Sequence, residues 1–263
     1  MSKRVRIYAV TNQKGGLGKS TIGCNLVFAG LEAGLKVLVC DSDPQGSSSA
    51  FLSGDPRINK KDMGLGFDRV FDFVDKEDVE LPTVPVYDNV DLLPGTLHLD
   101  AWNNDPKLLS DPSLVMRAGQ RLRVWAGKNG YDRVVFDTPT GHGLLQVVPM
   151  LWSDVIYIPV SPEPLSMHML PALSDTLDFV KNLNPLVQER YVINKIKKSS
   201  TQTANLGKLR TAFGARVMAE FKDSVSVSDS LDVGMPVWRF KGRKEVRETW
   251  RDFANRAMEV ETA

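Results

Sequence analysis

The feature of this chain that most constrains its fold is a glycine-rich loop between an apolar strand and a helix. The loop runs from Thr11 to Thr21 and reads TNQKGGLGKST. The β-branched run Val5–Val10 before it predicts a short buried strand, and the apolar spacing of residues 20–33 predicts a helix. Proteins commonly bind phosphate with a glycine-rich turn that joins a strand to a helix N-terminus. The sequence therefore predicts a phosphate-binding loop in an α/β fold.

The residue types in this loop each have a chemical purpose. Glycines allow backbone N–H groups to approach phosphate oxygens closely. Lys19 would place a positive charge on the terminal phosphates, and the Ser20 hydroxyl would ligate Mg²⁺. The predicted nucleotide contacts of the loop are Lys14, Gly15, Gly16, Leu17, Gly18, Lys19, Ser20 and Thr21.

The common pattern G-x-x-x-x-G-K-[ST] is not met, because Gln13 stands where that pattern has glycine. The pattern that is met is K-G-G-x-G-K-[ST]-T, which begins at a second lysine, Lys14. This deviant Walker A loop resembles that of the ParA/MinD group of P-loop ATPases. The resemblance implies ATP and Mg²⁺ as cofactors and places Lys14 at the nucleotide of a partner protomer.

The resemblance extends nearly over the whole chain. It points to the short, Soj-like ParA proteins, which lack an N-terminal helix-turn-helix domain. We therefore expect residues 1–263 to form a single P-loop ATPase domain. At 263 residues, with 42% hydrophobic and 25% charged content, the chain can bury the core of such a domain.

Two further apolar runs end in carboxylates, as expected for a sheet that binds ligands at the carboxyl ends of its strands. Asp41 and Asp43 lie two residues apart, so they project the same way if the chain stays extended. Their segment resembles the family's D-x-D-P-Q sequence, which implies that Asp43 orients the attacking water. Asp137 ends a run that resembles the Walker B strand. The predicted catalytic residues are Lys14 and Asp43, and the predicted metal ligands are Ser20, Asp41 and Asp137.

Apolar runs alternate with helical patterns along the rest of the chain. This alternation predicts an α/β fold with a mostly parallel twisted sheet and helices on both faces. The predicted strands are 90–93, 134–136, 155–160 and 191–193, and the predicted helices include 164–181 and 201–213. Residues 53–88, which prolines and glycines interrupt, are predicted to form an irregular surface segment. Its acidic part is either a solvated flank or a docking surface for a partner.

The choice of nucleotide can be argued from residues 191–197, which read YVINKIK. They superficially resemble the guanine-reading sequence N-K-x-D, but Lys197 stands in place of the aspartate. Guanine presents N–H donors, and an ammonium group cannot accept them. The sequence therefore favours ATP over GTP and makes Asn194 a candidate contact of the base.

The net charge of +1 hides a strongly basic stretch between Arg190 and Arg216, which has seven basic residues and no acid. A sustained positive surface attracts the phosphate backbone of DNA without reading its sequence. A solvated helix face without a ligand is the alternative. The family resemblance favours DNA. The predicted DNA contacts are Lys197, Lys198, Lys208, Arg210 and Arg216.

A membrane-positioning ATPase of the MinD type is a rival interpretation within the same fold. It would need an amphipathic tail, and residues 246–258 carry an apolar stripe at helical spacing. Acidic side chains flank this stripe and would oppose an anionic bilayer, so we expect the last helix to pack on the core. No apolar run is long enough for a membrane span, and no signal peptide is recognised. A cytoplasmic, nucleoid-associated protein is expected.

The resemblance implies a positioning ATPase, most simply one for plasmid or chromosome partition. Two protomers would enclose ATP and Mg²⁺, bind non-specific DNA as a homodimer, and separate after hydrolysis. Turnover would be weak alone and stimulated by a ParB-like adaptor or centromere-binding protein. Positioning of a protein cargo, or an acceptor-dependent ligase or kinase on the same fold, are the alternatives.

Overall fold

The computed structural model describes residues 4–55, 58 and 66–259, and these residues form an eight-stranded sheet with helices on both faces. The strands are β1 (Arg6–Val10), β2 (Val37–Asp41), β3 (Val84–Tyr87), β4 (Val90–Leu93), β5 (Arg133–Asp137), β6 (Val155–Val160), β7 (Gln188–Ile196) and β8 (Val217–Lys222). Their spatial order is β3-β4-β2-β5-β1-β6-β7-β8. Every neighbouring pair is parallel except β3 and β4, so the predicted mostly parallel α/β sheet is confirmed.

Most of the helices lie between strands, the last two follow β8, and together they cover both faces of the sheet. They are α1 (Lys19–Glu32), α2 (Ser47–Ser53), α3 (Pro106–Ser110), α4 (Pro112–Lys128), α5 (Leu144–Trp152), α6 (Pro164–His168), α7 (Leu170–Leu183), α8 (Ser200–Phe213), α9 (Val225–Asp232) and α10 (Lys244–Glu259). Within the described ranges, 3-10 helices span Phe67–Val74, Leu97–Asn104 and Gly214–Arg216. None of the helices in the described ranges is long and apolar enough to cross a bilayer.

Alternation along the buried strands divides the core into two layers. On β1, Ile7 and Ala9 face a layer that includes α4, α5 and α7, whereas Tyr8 and Val10 face a layer that includes α1 and α10. The apolar stripe of α10 lies in the second layer, where Trp250 is 1% exposed. The predicted packing of the last helix on the core is confirmed, because Val246, Trp250, Phe253 and Ala257 are all buried.

Two details of the sequence-based prediction require correction. The predicted helix over 164–181 is two helices that meet at Met169, because Pro171 has no N–H to donate to the preceding turn. Part of the predicted irregular surface segment is core: Phe67, Phe71 and Phe73 of the 3-10 helix are buried. Pro56 and Gly64, which suggested the irregularity, lie outside the described residues.

Sheet order places the predicted functional strand ends side by side. Strand β5 lies between β1 and β2, and Asp137 at its end is in register with Val10 on one side and Asp41 on the other. The loop that follows β1 therefore begins next to both carboxylates. This edge of the sheet is the place where an open parallel sheet binds ligands.

Candidate nucleotide-binding site

The glycine-rich loop has the backbone conformation of a phosphate cradle. Gly16 and Gly18 have positive φ angles of 72° and 89°, a region that favours glycine. Gly18 also has no room for a side chain, because a Cβ atom there would lie 2.5 Å from Nδ2 of Asn194. Helix α1 begins directly afterwards, and no side chain caps its first N–H groups. These N–H groups and the helix dipole favour an anion at this position.

Two side chains of the loop bind the neighbouring elements β6 and α7 and hold the loop in place. Asn12 donates from Nδ2 to the carbonyl oxygen of Pro159 at 2.8 Å and accepts the N–H of Lys14 at 2.9 Å. Gln13, which replaces the usual glycine, donates to the hydroxyl of Thr176 on α7 at 2.9 Å. These bonds fix the residues before the glycines.

Asn194, the predicted contact of the base, is hydrogen-bonded to the backbone at both ends of its amide. It is buried, its Nδ2 donates to the carbonyl oxygen of Leu17 at 2.8 Å, and its Oδ1 accepts the N–H of Lys195 at 2.8 Å. Both ends of the amide therefore bind backbone groups in this conformation. Asn194 borders the cleft, but its hydrogen bonds brace the phosphate loop against β7 and are not directed to a base.

A cleft of about 900 Å³ opens beside the loop, and its volume suits a nucleotide. Lys19 lines it and is only 8% exposed; burial lowers the pKa of its ammonium, and the charges of Asp137 and Asp43 counteract this. The predicted residues on the wall are Gly16, Gly18, Lys19, Ser20, Thr21, Asp43 and Asn194. Sequence reasoning did not find the opposite wall, which includes Lys195, Lys222, Asp223 and Arg243.

Asp137 is a buried carboxylate whose surroundings suit a bound cation. It is 1% exposed, and burial raises its pKa to about 6, although the hydroxyls of Ser20 and Ser48 and the charge of Lys19 counteract the rise. Its Oδ2 accepts a hydrogen bond from Ser48 Oγ at 2.6 Å. Its buried Oδ1 has no hydrogen bond of normal geometry within the described residues.

These observations fit Mg²⁺, which takes oxygen ligands and keeps several waters and phosphate oxygens in its shell. Only one or two protein ligands are needed for such a site. Accordingly, no group of three or more metal-binding side chains occurs in the part of the chain that the structure describes. Asp137 and the Ser20 hydroxyl are the residues that would hold the ion.

Asp41, the other predicted carboxylate of the metal shell, is hydrogen-bonded within the fold. Its side chain is fully buried, and both oxygens are already hydrogen-bonded. Oδ2 accepts the N–H of Ser49 at 2.9 Å and its hydroxyl at 2.7 Å, and Oδ1 accepts the N–H of Asp43 at 3.1 Å. Burial, with the nearby charge of Asp137, raises the pKa of Asp41 well above its usual range. Asp41 therefore ties β2 to α2 through Ser49.

Asp43 lines the cleft, and its side chain is partly exposed to solvent. It is half-buried, and its Oδ1 accepts the N–H of Gln45 at 2.8 Å. The turn that carries it packs tightly on the end of β4, since a Cβ atom at Gly95 would lie 2.3 Å from the carbonyl oxygen of Asp43. This close approach fixes the backbone of Asp43 against the segment that follows β4.

The two lysines of the loop point to different surroundings. Lys19 lines the cleft, whereas the ammonium of Lys14 lies 3.0 Å from Oε2 of Glu163, a residue between β6 and α6. Lys14 does not line the cleft of its own chain. Glu163 was not found by sequence reasoning, although it follows the strand next to β1 and could have been suggested by that adjacency.

The five predicted DNA contacts are all exposed, but three of them are ion-paired. Arg210 binds Glu220 through two hydrogen bonds of 2.7 and 2.6 Å. The other pairs are Arg216 with Glu189 at 2.6 Å and Lys197 with Asp223 at 3.5 Å. Across the described ranges of the chain, Lys198 and Lys208 have no such pair. The basic stretch is therefore less positive in the fold than in the sequence.

Together, the parallel sheet, the phosphate loop at the end of β1 and the carboxylate at the end of β5 define a P-loop nucleotide-binding protein. A family described as AAA domain matches residues 5–189. The chain belongs to this family, and its relatives identify it as a ParA-type P-loop ATPase.

The similarity to individual proteins extends over nearly the whole chain. The sporulation initiation inhibitor protein Soj of Bacillus subtilis is 29% identical over 95% of this chain and 96% of its own length. A plasmid partition protein from Borrelia burgdorferi has the same fold, with a TM-score of 0.73 and 20% identity over 98% of this chain and all of that one.

A biosynthetic enzyme shares the fold as well. The cobyrinic acid a,c-diamide synthase of Mycobacterium smegmatis, solved with ADP and magnesium, has a TM-score of 0.74 and 20% identity over 98% of this chain and 96% of its own. The fold alone therefore does not separate partition from biosynthesis. The residues of the site must decide between them.

Proposed function

We propose that this chain is an ATP-dependent positioning ATPase that binds non-specific DNA as a nucleotide-bound homodimer and leaves it after hydrolysis. The single observation that supports this most is the division of the two loop lysines. Lys19 serves the cleft of its own chain, whereas Lys14 lies outside that cleft. A lysine in a phosphate loop that does not line the cleft of its own chain is suited to reach the nucleotide of a second copy.

In the proposed mechanism, the loop amides and Lys19 bind the phosphates of ATP, and Asp137 with Ser20 holds Mg²⁺. The bound ion would supply charge neutralisation between the phosphate oxygens. Asp43 accepts a hydrogen bond from water and aligns it with the γ-phosphorus, while Lys14 of the partner stabilises the negative charge that develops during transfer. Loss of the γ-phosphate removes the anion that Lys14 binds, so the two protomers separate.

DNA would bind to exposed cations that are not neutralised within the fold. Lys198 and Lys208 meet this condition, because neither forms an ion pair within the described residues. Arg210, Arg216 and Lys197 would contribute only if phosphate displaced their carboxylate partners. A dimer presents this surface twice, so ATP would raise DNA affinity through avidity.

The experiment that tests the proposal is binding of a non-specific DNA duplex in ATP, in ADP and without nucleotide, across a series of salt concentrations. We expect binding with ATP alone and a steep loss of affinity with salt, roughly 0.9 log units per log unit of salt for each phosphate contacted. Equal binding in ATP and ADP would contradict the proposal.

Two controls separate the alternative functions. Sedimentation with anionic vesicles in ATP would point to a membrane-positioning ATPase, although the burial of the α10 stripe argues against it. ATP turnover that requires a small acceptor would point to a ligase or kinase. An adaptor that stimulates turnover, encoded by a neighbouring gene, would support partition.

A further inference from the structure

The ammonium of Lys14 has a counter-ion inside its own protomer. Its Nζ lies 3.0 Å from Oε2 of Glu163, with the two side chains 17% and 35% exposed. The backbone of Lys14 is also held, because its N–H donates to Oδ1 of Asn12 at 2.9 Å. The backbone and the side chain of Lys14 are thus both bound by residues of its own chain.

Glu163 is placed to make this contact by the strand that precedes it. Strand β6 pairs with β1, so the turn after β6 lies next to the start of the phosphate loop. Ser161 donates from Oγ to the same Oε2 atom at 3.3 Å. The hydrogen bond from Lys14 is the main reason that the pKa of Glu163 is lowered, so Glu163 is ionised at neutral pH.

We propose that Glu163 is a positioning residue that retains Lys14 in the single protomer and releases it only to the triphosphate of a partner. The inference rests on the proposed action of Lys14 across a dimer. It adds a competition to that action: each protomer must break its Lys14–Glu163 pair before its lysine can bind the opposite nucleotide.

The competition has a chemical basis. A single carboxylate offers one negative charge, whereas the terminal phosphates of ATP offer several charges and more acceptor oxygens. ATP in the partner would therefore displace Glu163, and ADP, without the γ-phosphate, would not. A ligand shifts such an equilibrium only by its difference in affinity for the two arrangements. The ion pair would thus sharpen the distinction between ATP and ADP.

The test measures the dissociation constant of the dimer in Mg²⁺ and a non-hydrolysable ATP analogue, by sedimentation, for wild type, Glu163→Gln and Glu163→Asp. A symmetric dimer breaks two pairs, so their effects multiply. If one partly exposed pair contributes about threefold, Glu163→Gln should tighten the dimer about tenfold. It should also dimerise measurably better than wild type in ADP, whereas Glu163→Asp should resemble wild type.

Glu220→Gln is the matched control, because it breaks the exposed Arg210–Glu220 pair, which involves no residue of the loop. It should leave the dimer constant unchanged. An unchanged or weaker dimer in Glu163→Gln, with a thermal unfolding midpoint like that of wild type, would overturn the proposal.

A second readout needs no dimer and keeps the proposal falsifiable if Glu163→Gln folds poorly. Lys14 is labelled by reductive methylation in the nucleotide-free protein, and its rate is compared by mass spectrometry with that of Lys208. The rate at Lys14 should rise several-fold in both Glu163→Gln and Glu163→Ala, while Lys208 should not change. An unchanged rate in folded variants would overturn the retention of Lys14.

The two measurements also distinguish this inference from the proposed function. If wild type fails to dimerise with the ATP analogue, the proposed function fails. If wild type dimerises but Glu163→Gln leaves both the dimer constant and the Lys14 rate unchanged, only the role of Glu163 fails.

Discussion

The phosphate loop and the basic stretch from Arg190 to Arg216 are both rich in charge, yet folding treats their charges differently. In the loop, Lys19 keeps its position in an open cleft beside Asp43. In the basic stretch, Arg210 and Arg216 are bound by Glu220 and Glu189. The geometry of a contiguous motif follows from its own residues. The net charge of a surface segment also depends on acidic residues of other elements that pack beside it.

The largest expected effect concerns the loop. Lys19→Ala removes the buried ammonium that faces the cleft, and a charged hydrogen-bonding group of this kind is worth roughly 100-fold in affinity. We therefore expect ATP binding, measured by calorimetry, to weaken by at least that factor. Lys208→Ala removes an exposed lysine of α8 as a control and should bind ATP like wild type. Normal ATP affinity in Lys19→Ala would show that the cleft is not the nucleotide site.

The next effect concerns pH and follows from Asp137, whose pKa is raised from 3.8 to about 6. Below this value the carboxyl is protonated and cannot ligate Mg²⁺ well. ATP turnover at limiting Mg²⁺ should therefore fall about tenfold for each pH unit below 6. Measuring turnover between pH 5 and 8 at several Mg²⁺ concentrations tests this, and saturating Mg²⁺ should move the midpoint to lower pH.

The same shift predicts how stability depends on pH in the absence of Mg²⁺. The folded state binds more protons than the unfolded state between pH 3.8 and 6, so Asp137 makes the free energy of unfolding fall as the pH rises through this window. The stabilisation that Asp137 contributes is fully present below pH 3.8 and is lost above pH 6. Urea unfolding in EDTA should show that, in this window, the free energy of unfolding of wild type falls with pH relative to that of Asp137→Asn. Parallel curves would show that the pKa is not raised.

The smallest effect concerns the basic stretch and compares two cations two residues apart on α8. Lys208 has no ion pair in the part of the fold that is described, whereas Arg210 is bound by Glu220. For each protomer that contacts DNA, Lys208→Ala should weaken non-specific binding about threefold and reduce the salt slope by about 0.9. Arg210→Ala should change both less. A larger effect of Arg210→Ala would show that DNA displaces Glu220, and the two regions would then differ less than we infer.

The sequence predicted the parts of the fold that depend on short-range patterns. The strand before the loop, helix α1 and the strand ends at Asp41 and Asp137 lie where apolar runs and turn residues indicated, within one or two residues. The register of β2 and β5 then follows from the parallel sheet. The proximity of these strand ends could therefore be predicted without knowledge of any side-chain contact.

The parts that could not be predicted depend on contacts between distant residues. Asp41 looked like a metal ligand, but Ser49 on α2 uses one of its oxygens. Asn194 looked like a base contact, but it binds Leu17, which is 177 residues earlier. Glu163 lies 149 residues from Lys14. Such pairings depend on how elements pack, which the pattern of one element does not contain.

The central claim is that Lys14 acts on the nucleotide of a partner, and mixing two inactive variants tests it most directly. Lys14→Ala keeps Asp43, and Asp43→Ala keeps Lys14, so each heterodimer would contain one complete site. In a one-to-one mixture, where half of the dimers are mixed, ATP turnover should recover to about a quarter of the wild-type rate. If Lys14 acts within its own chain, no complete site can form, and the mixture would stay as inactive as its two components.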